Sequence, residues 1–353
     1  MTSINPSLDA WREWVDLDRL AAWMDERSLE SGPIQDPRRP PGGTQNLLLQ
    51  FRRGDRTYML RRPPPHPQMN GSQTMRREAR VLAALEGTDV PHPPLIAACP
   101  DDDVLGAAFY LMAPVEGFNP TMGLPAKHAG DPSIRRAMGL ALVDGIAALG
   151  RFDPFAAGLS DLGRAEGFLE RQVGRWKKQL AGYAEYEGWT GPRSIEGVDD
   201  LARWLEAHQP RSFKPGLIHG DYHLANVLYR YDGPQLAAIV DWELTTIGDP
   251  LLDLGWLMAT WPQDDEGELG ASIPVTPWDG FPTAQELVER YAGQTDRDME
   301  HMDWYAVLAC FKLGIILEGT HARAAAGKAD TATGDRLHAQ TLSLFRRAMR
   351  WIA

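Results

Sequence analysis

The sequence predicts an α+β protein with a small β-rich N-terminal lobe and a larger helical C-terminal lobe. Short apolar runs on either side of a Gly54-Asp55 turn are typical of paired strands. Beyond about residue 119, apolar residues recur at helical spacing over long stretches. The 353 residues, 43% of them hydrophobic, are enough for two lobes of ordinary size. We therefore expect one lobe over residues 1–115 and a second over residues 116–353.

The N-terminal lobe is expected to contain a helix, two strands, a second helix and two further strands. Leu20, Trp23 and Met24 share one face of the first helix, predicted over residues 16–29. The prolines and glycines of residues 32–43 then break regular structure. The remaining predicted elements are strands at 46–51 and 57–61, a helix at 74–85, and two strands within 105–115.

The C-terminal lobe is expected to be helical, with a short hairpin region inside it. Apolar runs of two to four residues, separated by polar residues, predict short strands within residues 216–249. The predicted helices of this lobe lie at 134–149, 167–183, 198–208, 304–318 and 336–352.

Composition and charge exclude several classes of function. The net charge of −12 argues against non-specific binding to nucleic acid or to an anionic membrane. Cys99 and Cys310 lie in apolar surroundings, which indicates buried thiols of a reducing compartment. The longest apolar stretch, residues 138–149, is interrupted by Asp144 and is shorter than the roughly 20 residues of a membrane span. We expect a cytoplasmic protein; the sequence leaves its oligomeric state open.

Three polar residues at a distinctive spacing predict phosphoryl transfer. Asp221 precedes Asn226 by five residues, and Asp241 follows a short apolar strand fifteen residues later. Transfer of a phosphoryl group needs a carboxylate that orients the attacking hydroxyl, and oxygen ligands for Mg²⁺. The spacing therefore predicts Asp221 as the catalytic base, with Asn226 and Asp241 as the Mg²⁺ ligands.

The motifs around these residues resemble those of a known enzyme group. His219-Gly-Asp221, Asn226-Val-Leu228, Asp241-Trp-Glu243 and Gly248-Asp-Pro-Leu-Leu-Asp253 together are similar to the aminoglycoside phosphotransferase and choline kinase group of small-molecule kinases. The resemblance extends from about Gly42 to the C-terminus. It implies a bilobal protein-kinase-like fold, the use of ATP and Mg²⁺, and a small-molecule acceptor with a hydroxyl group.

Carried over residue by residue, the resemblance also implies supporting roles. His219 would brace the catalytic loop, which comprises residues 219–226. Leu228 would form an apolar floor beneath adenine. Glu243 would assist the metal or the substrate. Asp249 and Asp253 would be structural, because they would cap or tether the catalytic loop from the following helix.

A cation for the nucleotide phosphates is expected in the N-terminal lobe. In kinases it is a lysine on a strand, held by a carboxylate of the neighbouring helix. Here Arg61 occupies the strand position and Glu78 lies in the next predicted helix. We expect Arg61 to pair with Glu78, with Arg62 as the alternative cation. The forked guanidinium differs from the compact charge of a lysine, so this position departs from the family pattern.

Two further segments are candidates for nucleotide contacts. The pair Gly42-Gly43 allows close approach of the backbone, and Thr44 and Asn46 offer hydrogen-bond donors to phosphate oxygens. The segment that follows the last strand of this lobe suits a hinge. Backbone groups of Met112 and Ala113 are expected to contact the edge of adenine.

The acceptor is indicated by a narrower resemblance. Gly43-Thr-Gln-Asn46, Leu60-Arg-Arg-Pro-Pro64 and Val90-Pro-His-Pro93 look most like the kinase-like domain found with acyl-CoA dehydrogenases of the family-member-10/11 type. That branch implies a hydroxyacyl-CoA or a related hydroxy acid, and the basic residues of 171–178 could meet coenzyme A phosphates. An aminoglycoside is the alternative acceptor, since the acidic run at 264–268 could attract it. An inactive nucleotide-binding module is the alternative of another class.

Overall fold

A computed structural model describes residues 14–40, 46–64, 70–262 and 273–353. The chain divides into two compact units. The sheet unit comprises Met1–Gly117 with the short segments Ala157–Leu159 and Ala237–Glu243. The helical unit comprises Phe118–Ala156, Ser160–Leu236 and Leu244–Ala353.

The sheet unit is built on a five-stranded antiparallel sheet in the order β1-β2-β3-β5-β4. Strands β2 and β3 form a hairpin in which Leu49 pairs with Leu60 and Arg53 with Arg56. The elements in chain order are α1 (Leu17–Asp25), β1 (Gln35–Arg38), β2 (Leu47–Arg53), β3 (Arg56–Arg62), α2 (Gly71–Leu85), β4 (Leu95–Cys99) and β5 (Phe109–Met112).

Helix α1 closes one side of this unit with an apolar face. Its residues Leu20, Trp23 and Met24 are buried, as the helical spacing predicts, and pack into a core with strand residues such as Leu49 and Phe109. Asp16 caps the helix by accepting a hydrogen bond from the amide of Arg19. The helix is shorter than predicted: it ends at Asp25, whereas the prediction extended to residue 29.

Two strand predictions for this unit are wrong in part. Residues 35–38, predicted to be irregular, form β1; the strand tolerates Pro37 because it lies at the edge of the sheet and pairs on one side. Residues 105–115 contain one strand, β5, rather than two. Its antiparallel partner is β4, which the sequence analysis did not predict. The acidic residues 101–103 and Gly106 between the two strands were interpreted as a loop that precedes both strands of a pair, whereas they connect the two strands.

The helical unit contains the long helices and the short strands of the hairpin region. Its helices are α3 (Ala126–Ala129), α4 (Pro132–Arg151), α5 (Glu170–Gly182), α6 (Val198–Ala207), α7 (Leu251–Thr260), α8 (Ala284–Ala292), α9 (Met302–Ala325) and α10 (Thr331–Ile352). The short strands are β6 (Gly216–Ile218), β7 (Val227–Tyr229), β8 (Leu236–Ile239), which continues into the sheet unit, and β9 (Thr246–Gly248), the antiparallel partner of β6.

Close approach of α9 to its neighbours organises the core of the helical unit. A Cβ atom at Gly314 would lie 2.4 Å from the ring of Phe345 in α10, and one at Gly255 in α7 would lie 2.6 Å from the carbonyl oxygen of Tyr305. These glycines therefore let α7 and α10 pack directly against α9. The α7–α9 contact fixes the helix that follows the catalytic loop.

Helix α9 is also long and apolar enough, by length and composition, to cross a membrane. Two thirds of its most apolar stretch, 67%, is buried inside the protein, as in the core helix of a soluble protein. Cys310, on this helix, and Cys99 are both buried, as the sequence predicts, and neither forms a disulfide within the described part of the chain.

Candidate active site

The carboxylate of Asp221 is held by three side chains of the helical unit. Its Oδ1 accepts a hydrogen bond from the indole nitrogen of Trp256 at 2.9 Å and lies 3.2 Å from Nε2 of His223. Nδ1 of His223 accepts the amide hydrogen of Ala225, so Nε2 carries the proton and donates it to Asp221. The third donor is the amide of Asn226, which reaches Oδ2 at 2.9 Å. The carboxylate is thus fixed in direction.

Asp221 is ionised at neutral pH. Burial alone would raise its pKa, but the hydrogen bond from His223, together with the electrostatic influence of His223, His219 and Lys312, outweighs burial and holds the pKa well below its usual range. Its side chain remains 29% exposed, so a second molecule can reach it. An oriented, accessible carboxylate of this kind suits the positioning of a hydroxyl group.

Asn226 is oriented by the same loop. Its Nδ2 donates both to the backbone carbonyl of Asp221 at 2.9 Å and to the Asp221 carboxylate. Oδ1 accepts no hydrogen bond from any residue that the structure describes. The amide is therefore held by its nitrogen, which leaves its oxygen for a hard cation.

His219 and Asp253 hold the backbone of the catalytic loop. The Asp253 carboxylate, at the start of α7, accepts the amide hydrogens of His219 at 2.7 Å and Gly220 at 2.8 Å. Nδ1 of the buried His219 accepts the amide hydrogen of Asp221 at 3.3 Å. Gly220 has a φ of +87°, and a Cβ there would lie 2.7 Å from the carbonyl oxygen of Leu244. Glycine is thus required at the turn that presents Asp221.

Asp253→Asn is expected to destabilise the protein by about 2–4 kcal/mol. An amide side chain offers one acceptor oxygen where two amide hydrogens need acceptors, and its NH₂ group would face the second of them. The free energy of unfolding from urea titration measures the effect. The matched control is Asp199→Asn, an exposed carboxylate in the first turn of α6, for which we expect a change below about 0.5 kcal/mol. Equal losses in the two variants would contradict the tether.

Asp249 and Leu228 have different surroundings. Asp249 is buried; its Oδ2 accepts the hydroxyl hydrogen of Tyr305 at 2.5 Å and its Oδ1 the amide hydrogen of Leu251 at 3.1 Å. It therefore ties the start of α7 to α9 and, among its described contacts, none is with the catalytic loop. Leu228 is half-buried between the buried Val227 and Tyr229, so part of its apolar surface is accessible.

In the sheet unit, Arg61 lies between two carboxylates. Its Nε is 2.9 Å from Oε2 of the buried Glu78, and its Nη2 is 2.7 Å from Oδ1 of Asp241. Tyr110 donates its hydroxyl hydrogen to Glu78 at 2.7 Å. Burial would lower the pKa of Arg61, but Glu78, Tyr110 and Asp241 raise it above its ordinary value, so the guanidinium stays charged. The pairing of Arg61 with Glu78 predicted from the sequence is present.

Asp241 adopts an uncommon backbone conformation. Its φ is +68°, in the left-handed region that aspartate tolerates better than most residues. The side chain is 39% exposed, and within the described residues only Oδ1 has a partner, the Arg61 guanidinium. Strained, partly exposed aspartates of this kind are concentrated at functional sites.

Glu243 and Asn46 bond to each other near Arg61, whereas Arg62 has other partners. Oε2 of Glu243 accepts a hydrogen bond from Nδ2 of Asn46 at 3.0 Å and lies 3.9 Å from Arg61. Arg62, the alternative cation, is on the opposite face of β3, because side chains alternate along a strand. It donates to the backbone carbonyls of Pro63 and Trp14 at 3.1 Å each. The structure therefore separates Arg62 from the Arg61 cluster.

The predicted backbone contacts to adenine change in one respect. The amide of Ala113 donates to the carbonyl of Pro94 at 2.9 Å, so this donor is already used. Met112 pairs with both Met59 and Leu95, at the end of β5, which lies between β3 and β4. Thr44 lies outside the described residues.

A cavity of about 280 Å³ lies within the helical unit, next to the catalytic loop. Its wall includes Gly220 of the loop, Trp176 of α5, Trp256 of α7 and Lys312 of α9. The Trp256 ring lines the cavity while its nitrogen holds Asp221. The cavity is thus connected to the carboxylate by a single side chain.

Lys312 is the principal residue that the sequence analysis missed. Its Nζ donates to the carbonyl of Gly220 at 3.0 Å and lies 4.2 Å from the centre of the Trp256 ring. Burial lowers the pKa of Lys312 to about 8, although the charges of Asp221 and Asp253 oppose this decrease. A lysine inside the apolar helix α9 was the available signal, since buried lysines are rare unless they are paired or functional.

Besides Lys312, the cavity wall carries a second basic side chain and no carboxylate, among the described residues, with an unused oxygen. A positively charged ligand is therefore disfavoured. Arg175 of α5 lines it and lies over the Trp176 ring at 5.1 Å. Within the described lining, Asp253 is the one carboxylate, and both of its oxygens accept amide hydrogens. Of the other basic residues on α5, Lys177 pairs with Glu206 and Arg171 bonds nearby carbonyls. The acidic run at 264–268 lies outside the described residues.

Comparison with known proteins places these observations in a family. Among curated relatives, acyl-CoA dehydrogenase family member 10 of Mus musculus is 28% identical over 303 residues, covering 83% of this chain and 27% of that protein. Acyl-CoA dehydrogenase family member 11 of Gallus gallus is 30% identical over 296 residues, covering 81% and 36%. The chain therefore spans about a third of the length of these relatives.

Solved structures show the same fold. A Ralstonia eutropha protein classed with the aminoglycoside phosphotransferases superposes with a TM-score of 0.77 at 28% identity, covering 95% of this chain and 99% of that one. The fold is accordingly α+β and protein-kinase-like, as predicted. The sequence also matches the phosphotransferase enzyme family, APH, over residues 36–279. With the match covering most of the chain, this protein belongs to the phosphotransferase enzyme family.

Proposed function

We propose that this protein transfers the γ-phosphate of ATP to the hydroxyl group of a small molecule, with Mg²⁺ as the metal. The observation that carries the proposal is the oriented, ionised and accessible carboxylate of Asp221. In the proposed reaction the acceptor oxygen forms a bond to the γ-phosphorus and the bond to the ADP oxygen breaks. Asp221 takes the proton of the hydroxyl. Because such transfers have loose transition states, orienting the hydroxyl is the main task of this residue.

The residues proposed as Mg²⁺ ligands fit a hard cation. In the helical unit, Oδ1 of Asn226 has no partner among the described residues. In the sheet unit, Oδ2 of Asp241 is likewise without a described partner, and its side chain is partly exposed. One or two protein oxygens are the usual protein contribution to a Mg²⁺ site that also uses phosphate oxygens. The ion would supply neutralisation of the phosphate charge.

For the nucleotide, we propose Arg61 as the phosphate-binding cation and Glu78 as its anchor. Glu78 is buried and accepts a hydrogen bond from the Tyr110 hydroxyl, so its carboxylate has a fixed position. It would hold the Arg61 guanidinium as a carboxylate holds the lysine of other kinases. We retain Leu228 as the apolar contact for adenine. We also propose nucleotide contacts for Thr44, Asn46 and Met112. The side-chain nitrogen of Asn46 donates a hydrogen bond to Glu243.

For the acceptor, we propose a hydroxyacyl-CoA or a hydroxy acid. The relatives named as acyl-CoA dehydrogenases support this class. The cavity beside Asp221 supports it independently, because Lys312 and Arg175 present positive charge and the two tryptophans present apolar surface. An anionic acceptor with an apolar portion suits such a wall, whereas a polycationic aminoglycoside would be repelled.

The test is an ATP-consumption screen with Mg²⁺ and separate panels of hydroxyacyl-CoAs, hydroxy acids, aminoglycosides, choline-like amines and sugars. We expect turnover with the first two panels and formation of a phosphate monoester. Turnover with aminoglycosides alone would contradict a hydroxyacyl-CoA or hydroxy acid acceptor and would identify an aminoglycoside kinase instead. Mg²⁺-dependent ATP binding with no phosphorylated product from any panel would instead favour an inactive nucleotide-binding module.

Lys312→Met is expected to lower kcat/KM for an anionic acceptor about 10- to 100-fold, chiefly through KM, because a hydrogen bond to a charged group is lost. In the unaltered protein the amine is charged below its pKa of about 8 and neutral above it, so kcat/KM should fall as pH rises through 8. The variant should lack this decrease. Steady-state kinetics from pH 6.5 to 9.5 measure both effects.

The matched control for this prediction is Lys214→Met, an exposed lysine that pairs with Asp296 and lies outside the cavity lining. We expect its kinetics to follow those of the unaltered protein. An unchanged KM in Lys312→Met would show that the cavity does not hold the anionic group.

For the compartment, we propose the cytoplasm, which is supported by the two buried cysteines, since neither forms a disulfide within the described residues.

A further inference from the structure

A second cluster of ionisable side chains joins α9 to α10, and it shares no residue with the phosphotransfer groups. Glu318 and His321 are three residues apart on α9, and Asp335 and His338 are three residues apart on α10. Residues at this spacing lie on the same face of a helix. Each helix therefore presents one carboxylate and one imidazole to the other.

The four side chains pair across the two helices. Nδ1 of His338 is 2.7 Å from Oε2 of Glu318, and Nδ1 of His321 is 3.6 Å from Oδ1 of Asp335. The two imidazole rings stack, with centres 4.4 Å apart and planes inclined by 25°. One ligand atom from each of Glu318, His321 and His338 lies within 4.8 Å of the others.

Burial makes this arrangement more than a surface ion pair. The Glu318 side chain has no exposed surface, whereas His321 and His338 are 22% and 25% exposed. Nδ1 of His321 is buried and has no hydrogen-bond partner in the described part of the chain. A buried polar atom in that position is costly unless a further group satisfies it.

The helices are held close enough to share a ligand. A Cβ at Gly334 of α10 would lie 2.5 Å from Cβ of Ala324 and 3.4 Å from Cα of His321, so only glycine permits this approach. One turn beyond His338, Thr341 donates its hydroxyl hydrogen to the carbonyl of Gly314 at 2.9 Å, which fixes the register of the two helices.

We propose that Glu318, His321 and His338, completed by Asp335, form a binding site for a divalent transition metal, with Zn²⁺ as the best match. Imidazole nitrogens and carboxylate oxygens are common Zn²⁺ ligands, at bond lengths of about 2.0–2.2 Å that place neighbouring ligand atoms about 3.4 Å apart. The ligand atoms of Glu318, His321 and His338 lie within 4.8 Å of one another, and we expect side-chain rotation to close the remaining distance. Asp335, which is 67% exposed, is free to rotate toward the others.

The environment of the cluster also resembles that of a structural metal site. The second oxygen of Glu318 accepts a hydrogen bond from the indole nitrogen of Trp189 at 2.8 Å. Such an outer hydrogen bond orients a ligating carboxylate. With ligands from two consecutive helices, the metal would cross-link α9 to α10 near the turn that joins them.

The experiment is equilibrium dialysis of the chelator-treated full chain against Zn²⁺ in excess Mg²⁺, with bound metal counted by mass spectrometry. We expect about one Zn²⁺ per chain. A free Zn²⁺ concentration about 100 times Kd should raise the midpoint of thermal unfolding by about 3 °C. Co²⁺ in place of Zn²⁺ should give the visible absorption of a tetrahedral site.

Two variants assign the site. His321→Ala removes a ligand whose Nδ1 makes no hydrogen bond among the described residues, and Glu318→Gln keeps the shape of the buried side chain. Each should weaken Zn²⁺ binding by at least about tenfold. The control is His301→Ala, an exposed histidine immediately before α9, which should bind as the unaltered protein does. Failure of the unaltered protein to bind Zn²⁺, or equal affinity in all four proteins, would overturn the proposal.

Discussion

Asp221→Ala is expected to lower kcat by about 10²–10⁴-fold while it changes the dissociation constant of Mg²⁺-ATP less than about threefold. The carboxylate is directed by Trp256, His223 and Asn226, and it is proposed to act on the acceptor hydroxyl rather than on the nucleotide. Its loss removes orientation of the attacking oxygen. Single-turnover kinetics and calorimetric titration with a non-hydrolysable ATP analogue measure the two quantities.

A matched control is available on the exposed hairpin. Asp232 has a pKa lowered to about 2 through its hydrogen bond with Arg230, but it has no contact with the catalytic loop among the described residues. Asp232→Ala should leave kcat within about twofold. Because the pKa of Asp221 is depressed, no loss of activity should follow from its titration between pH 5 and 9. Retention of turnover in Asp221→Ala would remove Asp221 from the catalytic role.

Asp241→Ala is expected to weaken Mg²⁺-dependent binding of ATP by about 10- to 100-fold and to lower kcat/KM further. The variant removes a proposed metal ligand whose Oδ2 has no partner in the described residues. Binding of ATP without Mg²⁺ should not weaken, since Arg61 keeps its contact with Glu78 and loses only the carboxylate that competes with phosphate. Calorimetry with ATP in the presence and absence of Mg²⁺ separates the two contributions.

The control for this prediction is Asp102→Ala, which removes another aspartate that is paired with an arginine in the sheet unit. It is 53% exposed and pairs with Arg76, so its loss should leave Mg²⁺-ATP binding as it is. If Asp241→Ala binds Mg²⁺-ATP with the affinity of the unaltered protein, the metal assignment is wrong.

The sequence predicts the parts of the site that depend on short motifs. The pairing of Arg61 with Glu78 was predicted from a strand and the next helix, and the tether from Asp253 was implied by the resemblance to small-molecule kinases. Arg61 and Glu78 lie on β3 and α2, which are consecutive elements, so a local pattern was sufficient for that contact. Asp253 lies 34 residues beyond His219, so its contact was indicated by the order of the family motifs and not by local spacing.

Contacts between distant segments were not predictable in this way. Lys312 reaches Gly220 across 92 residues, and Trp256 reaches Asp221 across 35. Neither contact has a local signature, because packing of α7 and α9 brings these side chains to the loop.

The class of the fold was predicted correctly, but not every strand was. The turn between β4 and β5 and the edge position of β1 depend on tertiary pairing rather than on local propensity.

The ion pair between Arg61 and Asp241 would make binding of the proposed Mg²⁺ an exchange rather than an addition. Without nucleotide, the carboxylate that is proposed to hold Mg²⁺ is neutralised by the guanidinium. A free cation must compete with that arginine, whereas Mg²⁺-ATP brings phosphates that give the guanidinium a new partner. The pair would therefore discriminate against bare Mg²⁺ and would link uptake of the metal to uptake of the nucleotide.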